Sequence, residues 1–173
     1  MTADLQPTLT GKLLELRPLG PGDFDALYAV ASDPGIWAQH PVADRYTRDV
    51  FSDFFREALE SGGAFAVIDR ATGGIIGSSR YYGYDAVRRE IEIGWTFLAR
   101  AYWGGIYNRE LKELMLRHAF GFVDRVIFLV GPRNFRSQRA MEKIGGVRAG
   151  MTRREPGGPE NVVFEITRAT FSD

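Results

Sequence analysis

The stretch AYWGGIYNRELKELMLRHAF, residues 101–120, sets two adjacent glycines, Gly104 and Gly105, directly before a run of helical periodicity. Glycine weakens a helix interior by about 1 kcal/mol relative to alanine, so a pair at the start implies backbone freedom or close approach by something. The first turn of a helix has four backbone N–H groups without internal partners and a partial positive charge. That setting suits an anion such as a phosphate. A tight strand-to-helix turn packed on its neighbour would use the same two residues. Farther on, Arg136, Arg139 and Lys143 are spaced i, i+3, i+7 and share one helix face, where they could meet a phosphate or only water. Glu90 and Glu92 alternate with Ile91, Ile93 and Trp95. In a strand the two carboxylates therefore share a face opposite the three apolar residues, lining a cleft or facing solvent.

Composition narrows the chemistry. The 22 basic and 22 acidic side chains cancel, so any anion site must be local, and neither nucleic acid nor an acidic membrane is expected as a partner. The absence of cysteine removes disulfides, thiolate metal sites and a cysteine nucleophile, and His40 and His118 are far apart in sequence, so no metal is expected. No Gly-Lys-Ser/Thr follows the glycine pair, which argues against a nucleoside-triphosphate loop. The start, MTADLQPTLTGK, lacks a basic-then-apolar leader, and no apolar stretch is long enough to span a membrane. A cytoplasmic protein of one domain across residues 1–173 is expected.

The elements that must position these residues follow from periodicity. KLLELRPL reads as a strand and PGDFDALYAVASD as a helix with Phe24, Leu27, Tyr28 and Ala31 on one face. TRDVFSDFFREALESGG reads as a second helix, with a Val50, Phe54, Ala58 stripe inward, Thr47 capping its start and Gly62 ending it. AFAVID, GIIGSSRYYGY and REIEIGWTFL then form an antiparallel meander. The glycine-led helix follows. RVIFLV is a buried strand, FRSQRAMEKI a helix between Asn134 and Gly145, and NVVFEIT a last strand after the loop RREPGGPEN. The order β, α, α, β, β, β, α, β, α, β places the glycine pair where a central strand gives way to a helix, a usual binding place in open α/β sheets.

Together, LRPL before an Asp-containing helix, TGGIIGSSRYY and EIEIGWTF, YWGGIYN, and NFRSQRAMEKIGGV resemble the GNAT acyltransferases, and within them the RimJ/RimL-like branch. The resemblance covers nearly the whole chain. It implies an α/β fold with a mixed, mainly antiparallel central sheet flanked by helices, and an acetyl-coenzyme A (acetyl-CoA) site at a splayed strand and the central helix N-terminus. It assigns the pyrophosphate to backbone N–H groups around Trp103, Gly104, Gly105, Ile106, Tyr107 and Asn108, with Asn134, Arg136 and Arg139 nearby. The pantetheine arm falls to the backbone of Phe97, Leu98 and Ala99. Where the family loop usually carries Gln or Arg, Gly, and Gly or Ala, this chain has Ala101, Gly104 and Ile106, which removes space rather than donors. Arg100, one residue early, could replace the missing side chain.

The implied reaction is acetyl transfer from acetyl-CoA to a primary amine by direct attack, the acceptor being a protein N-terminus or a small-molecule amine. It needs a neutral amine, a placed thioester, oxyanion donors and a proton for the leaving thiolate. An α-amine of pKa near 8 costs about 1.4 kcal/mol to deprotonate at pH 7 and a lysine about 4.6 kcal/mol. The candidate bases are Glu90, Glu92 and Glu155, with Glu92 and Glu155 preferred. Many family members use a tyrosine as thiolate acid where this chain has Met141, leaving Ser137 as the substitute. Trp37, His40 and Tyr82 are expected along the acceptor wall. Ala101, Ile106 and Met141 motivate an alternative, a non-catalytic acyl-CoA binding or sensing module. Edge strands leave a homodimer open.

Overall fold

A computed structural model describes residues 2–171. The strands are β1 (Leu9–Thr10), β2 (Leu14–Pro18), β3 (Ala64–Asp69), β4 (Ile75–Asp85), β5 (Glu90–Leu98), β6 (Arg125–Val130), β7 (Val147–Arg153) and β8 (Glu160–Thr167). They form one sheet in the order β1-β2-β3-β4-β5-β6-β8-β7. Every neighbouring pair is antiparallel except β5 with β6. The helices are α1 (Phe24–Ala31), α2 (Pro34–Trp37), α3 (Arg48–Ser61), α4 (Ile106–Ala119) and α5 (Phe135–Lys143). The mixed, mainly antiparallel α/β architecture expected from the sequence is the one observed.

Alternation along the strands divides the core between the two faces of the sheet. Phe65, Val67, Ile91, Ile93 and Val126 pack with Leu111 and Met115 of α4. Ala64, Ala66 and Phe97 pack with Leu27 of α1 and Phe51, Phe54 and Phe55 of α3. The inward stripe of α3 is thus Phe51, Phe54, Phe55 and Ala58, with Val50 only half-buried. Gly62 ends that helix at φ 69°, as expected. Thr47 does not cap it by side chain: its hydroxyl donates to the Asp44 carbonyl at 2.9 Å.

Two other expectations fail for identifiable reasons. The strand β7 lies between α5 and the loop, where the sequence predicts none. All seven of its residues are exposed and Gly150 at φ 129° breaks its register, so it has no apolar alternation to detect. Trp95, expected beside Ile91 and Ile93, instead lies against Tyr82 and the guanidinium of Arg154, on the Glu92 side. Trp95 has φ 53° and sits in a bulge where the pairing jumps from Arg80–Gly94 to Ser78–Phe97. An extra residue in one strand resets the alternation of everything beyond it.

Candidate active site

The bulge has a second consequence. The parallel pairing of β5 with β6 covers only Glu90, Glu92 and the residue between them, so from Ile93 onward β5 has no strand on that side. The wedge between the diverging strands opens into two cavities. One, of about 270 Å³, is lined by Phe97, Leu98, Trp103, Gly104, Gly105, Asn108 and Arg136, among others. The other, of about 490 Å³, is lined by Trp37, His40, Arg45, Trp95, Asn134, Arg154 and Glu155, among others. Four residues line both: Thr96, Lys112, Ser137 and Met141. They form the seam where a group held in one cavity would meet a group held in the other.

In the smaller cavity, Gly104 and Gly105 adopt φ 117° and 110°, and an added Cβ at either would point into open space. Backbone conformation, not crowding, therefore demands glycine here. No side chain caps α4, and its first internal bond runs from Arg109 N–H to Gly105 O. The earlier N–H groups of α4 are left at a cavity with open space above the glycines, which fits a phosphate-bearing ligand such as acetyl-CoA. Ile106 stands 65% exposed beside them and Tyr107 meets Tyr102 edge-to-face. Arg136 lies 3.8 Å above the Trp103 ring and donates to the Ile36 carbonyl, which fixes its guanidinium at the rim. Arg139 lies outside this lining and bonds back to the Phe135 carbonyl, whereas Lys143 lines it. Leu98 O accepts from the Trp103 indole, and Ala99 N–H donates to Ile76 O. Arg100 pairs with Asp33 at 2.5 Å and does not line the cavity.

In the larger cavity, Asn134 accepts from Ser137 N–H at the start of α5, which presents the Ser137 side to the seam. His40 Nδ1 accepts from Val42 N–H at 2.9 Å, so the ring proton of the neutral form sits on Nε2. Burial, with Arg45 and Arg136 adding to it, pushes the His40 pKa down to about 4, and the ring is neutral at pH 7. Burial likewise pushes Arg45 to about 10; its guanidinium lies over Phe54 and Trp37, and its Nε has no hydrogen-bond partner among the described residues. Glu92 is 6% exposed and held by both Arg154 nitrogens at 2.8 and 2.5 Å. It therefore lies behind Arg154, facing neither water nor an open cleft. Glu155 lines the cavity from an exposed loop. Tyr82 is exposed against Trp95 and lines neither cavity, and Tyr81 is buried with its hydroxyl on the Met115 carbonyl.

Lys112 and Thr96 went unrecognised in the sequence. Lys112 sits at a position of α4 that the sheet covers, between Leu111 and the Leu114–Met115 pair, and the only signal was a lysine adjoining an apolar stripe. That signal is weak, because lysine stems commonly skirt such stripes. Arg154 carried no signal, since its contacts with Glu92 and Trp95 span a long stretch of chain.

No curated protein matches the chain. Among solved structures, a GCN5-related N-acetyltransferase from Brucella melitensis superposes with TM-score 0.83 at 22% identity, over 96% of this chain and 80% of that one. A GNAT-family acetyltransferase from Bacillus anthracis gives TM-score 0.75 at 23% identity, covering 93% and 98%. Mycobacterium smegmatis RimJ, solved in complex with CoA-disulfide, gives 0.76 at 20% identity, covering 100% and 93%. The family described as Acetyltransferase (GNAT) domain matches residues 14–147, a span that runs from β2 to the first residue of β7 and holds every side chain of the seam and the smaller cavity. With a splayed central strand, an uncapped glycine-led helix and that match over most of its length, this chain belongs to the GNAT acetyltransferase family.

Proposed function

We propose that the protein transfers acetyl from acetyl-CoA to a primary amine by direct attack across the seam. The observation that supports this reading most is the meeting of the two cavities at Thr96, Lys112, Ser137 and Met141. The smaller cavity takes acetyl-CoA, with its pyrophosphate at the N–H groups after Gly104 and Gly105 and Arg136 at the rim. Its pantetheine arm runs beside β5 where that strand lacks a neighbour. The committed bonds of Leu98 O and Ala99 N–H leave the segment before them as the open edge.

The larger cavity takes the amine. Ser137 faces the reacting sulfur, and Glu155 accepts the proton the amine sheds. Glu92 acts by holding Arg154 against Trp95. Trp37 and neutral His40 form the wall, meeting edge-to-face at 5.4 Å. A protein N-terminal amine is the first acceptor class, as in the RimJ/RimL-like branch, because an α-amine of pKa near 8 is about one-tenth neutral at pH 7 without assistance. A small-molecule amine is second.

Calorimetric titration with acetyl-CoA tests the cofactor half, with Gly104→Glu as the control that blocks and repels the phosphates. Binding by wild type that vanishes in a folded Gly104→Glu variant is expected; no binding by wild type overturns the reading. Labelled acetyl-CoA with a panel of N-terminal peptides, then an amine library, identifies the acceptor. Acetyl-CoA binding without turnover of any amine refutes the transferase half.

A further inference from the structure

Lys112 projects from α4 into the wedge between β5 and β6. It is 2% exposed, and among the described residues its ammonium has no carboxylate within salt-bridge distance. Its Nζ donates to Thr96 Oγ1 at 2.6 Å and lies 5.8 Å from the Phe128 ring centroid, so it is bracketed by the two strands at the point where they part. Thr96 Oγ1 in turn shares a 2.8 Å hydrogen bond with Ser79 Oγ of β4. Of the three protons an ammonium carries, one has an acceptor among the described residues. A methionine or leucine would fill this wedge without the desolvation that a lone buried cation suffers. Such a residue in the seam of two cavities is an expense better explained by reactivity than by packing.

We propose that Lys112 is the proton donor to the departing sulfur, a role resting on the acetyl-transfer reading above. As the nitrogen–carbon bond forms and the carbon–sulfur bond breaks, the bonding pair leaves on sulfur and the Lys112 ammonium gives it one proton. The nitrogen loses one proton to Glu155 or water in the larger cavity. Water returns a proton to neutral Lys112 before the next turnover. The sum is one proton off nitrogen and one onto sulfur. Met141, buried on α5 across the seam, has no proton to give, and Ser137 supplies a hydroxyl that can orient the sulfur.

Burial pushes the Lys112 pKa down to about 7, so both forms coexist near neutrality, which a relay requires. The charged groups facing this region are Arg109 and Glu113 on α4, Arg136 and Lys143 on α5, Arg154 and Glu155 from the loop after β7, and Arg45 with Glu57 across the larger cavity. On β5 and β6 the neighbours are Thr96 and Phe128, neither of which titrates.

The chain has three lysines, Lys12, Lys112 and Lys143, so carbon-13 labelling of lysine gives three Cε signals, and Lys112→Met identifies one of them. In the ligand-free protein that signal should titrate near neutrality. With acetyl-CoA and an accepted amine, Lys112→Met should lower kcat about 10²-fold or more, with acetyl-CoA affinity within about twofold. Wild-type kcat should fall above neutral pH, and Lys112→Met should abolish that fall. Lys112→Arg, which keeps the charge and cannot release a proton, should stay equally slow. A Lys112 signal titrating above pH 9, a Lys112→Met kcat within about threefold of wild type, or full rescue by arginine would each overturn the role while leaving the transferase reading intact. Wild type that binds acetyl-CoA and acetylates nothing overturns both.

Discussion

At the scale of single residues, conformation and charge make different demands at the two cavities. Gly104 and Gly105 are required by φ values of 117° and 110° with open space beyond them. Gly104→Ala should therefore cost about 1–3 kcal/mol of stability through backbone strain, without filling the cavity. Acetyl-CoA titration of this variant should show weakened binding that survives, in contrast to the abolition expected for Gly104→Glu. Equal loss in both would assign the effect to loop collapse and not to the phosphates. Glu92 is a different kind of residue. Its carboxylate is enclosed by the forked Arg154 guanidinium, so Glu92→Gln leaves a cation against Trp95 without its counter-charge. Because Arg154 is more than one-third exposed, the loss should be about 2 kcal/mol, below the 3–5 kcal/mol typical of fully buried pairs. Urea unfolding checks that figure. The amine KM should rise while acetyl-CoA affinity holds; a pH-independent collapse of kcat with KM unchanged would instead make Glu92 a base.

At the scale of elements, the site depends on how α4 is held and on where β5 leaves β6. The Glu110 carboxylate accepts the backbone N–H groups of Lys12, Leu13 and Leu14 at 2.9, 2.8 and 2.7 Å, tying the first turns of α4 to the start of β2. Three charge-assisted bonds at a partly solvated place should make Glu110→Ala lose about 2–3 kcal/mol, or roughly 4–12 °C in Tm. Thermal unfolding with and without acetyl-CoA measures it; an unchanged Tm would mean that water replaces the carboxylate. The meander, α4 and both helix stops were legible in the sequence because alternation, 3.6-residue periodicity and glycine at Gly62 and Gly145 are local signals. The glycine pair was legible for the same reason. Trp95 and β7 were not, since a bulge and an exposed edge strand are settled by partners distant in sequence. Lys112 illustrates the remaining gap. Its residue type matched a solvated helix, and only the divergence of β5 from β6, a property of the whole sheet, turns its position into the floor of a wedge.

At the scale of the whole molecule, a buried cation leaves a mark on stability that is independent of any substrate. The Lys112 pKa is about 7 in the folded chain against an ordinary 10.5. Between those values the native state binds fewer protons than the unfolded chain, so stability from this residue rises with pH and is lost as pH falls toward 7. The slope is at most about 1.4 kcal/mol per pH unit. His40, depressed to about 4, acts in the same direction in a lower window: stability falls as pH drops from about 6.5 toward 4. The two windows do not overlap. Urea unfolding of wild type and Lys112→Met at pH 7, 8 and 9 isolates the lysine, because every other titrating group is shared and cancels in the difference. The variant's advantage should be largest at pH 7 and shrink by roughly 1 kcal/mol per unit as pH rises. A difference constant across that range would mean that Lys112 keeps an ordinary pKa, by drawing water into the wedge or by swinging its amine out of it. A lowered Lys112 pKa is what the proton relay requires, so this measurement, made without acetyl-CoA or any amine, bears on the chemistry as directly as on the fold.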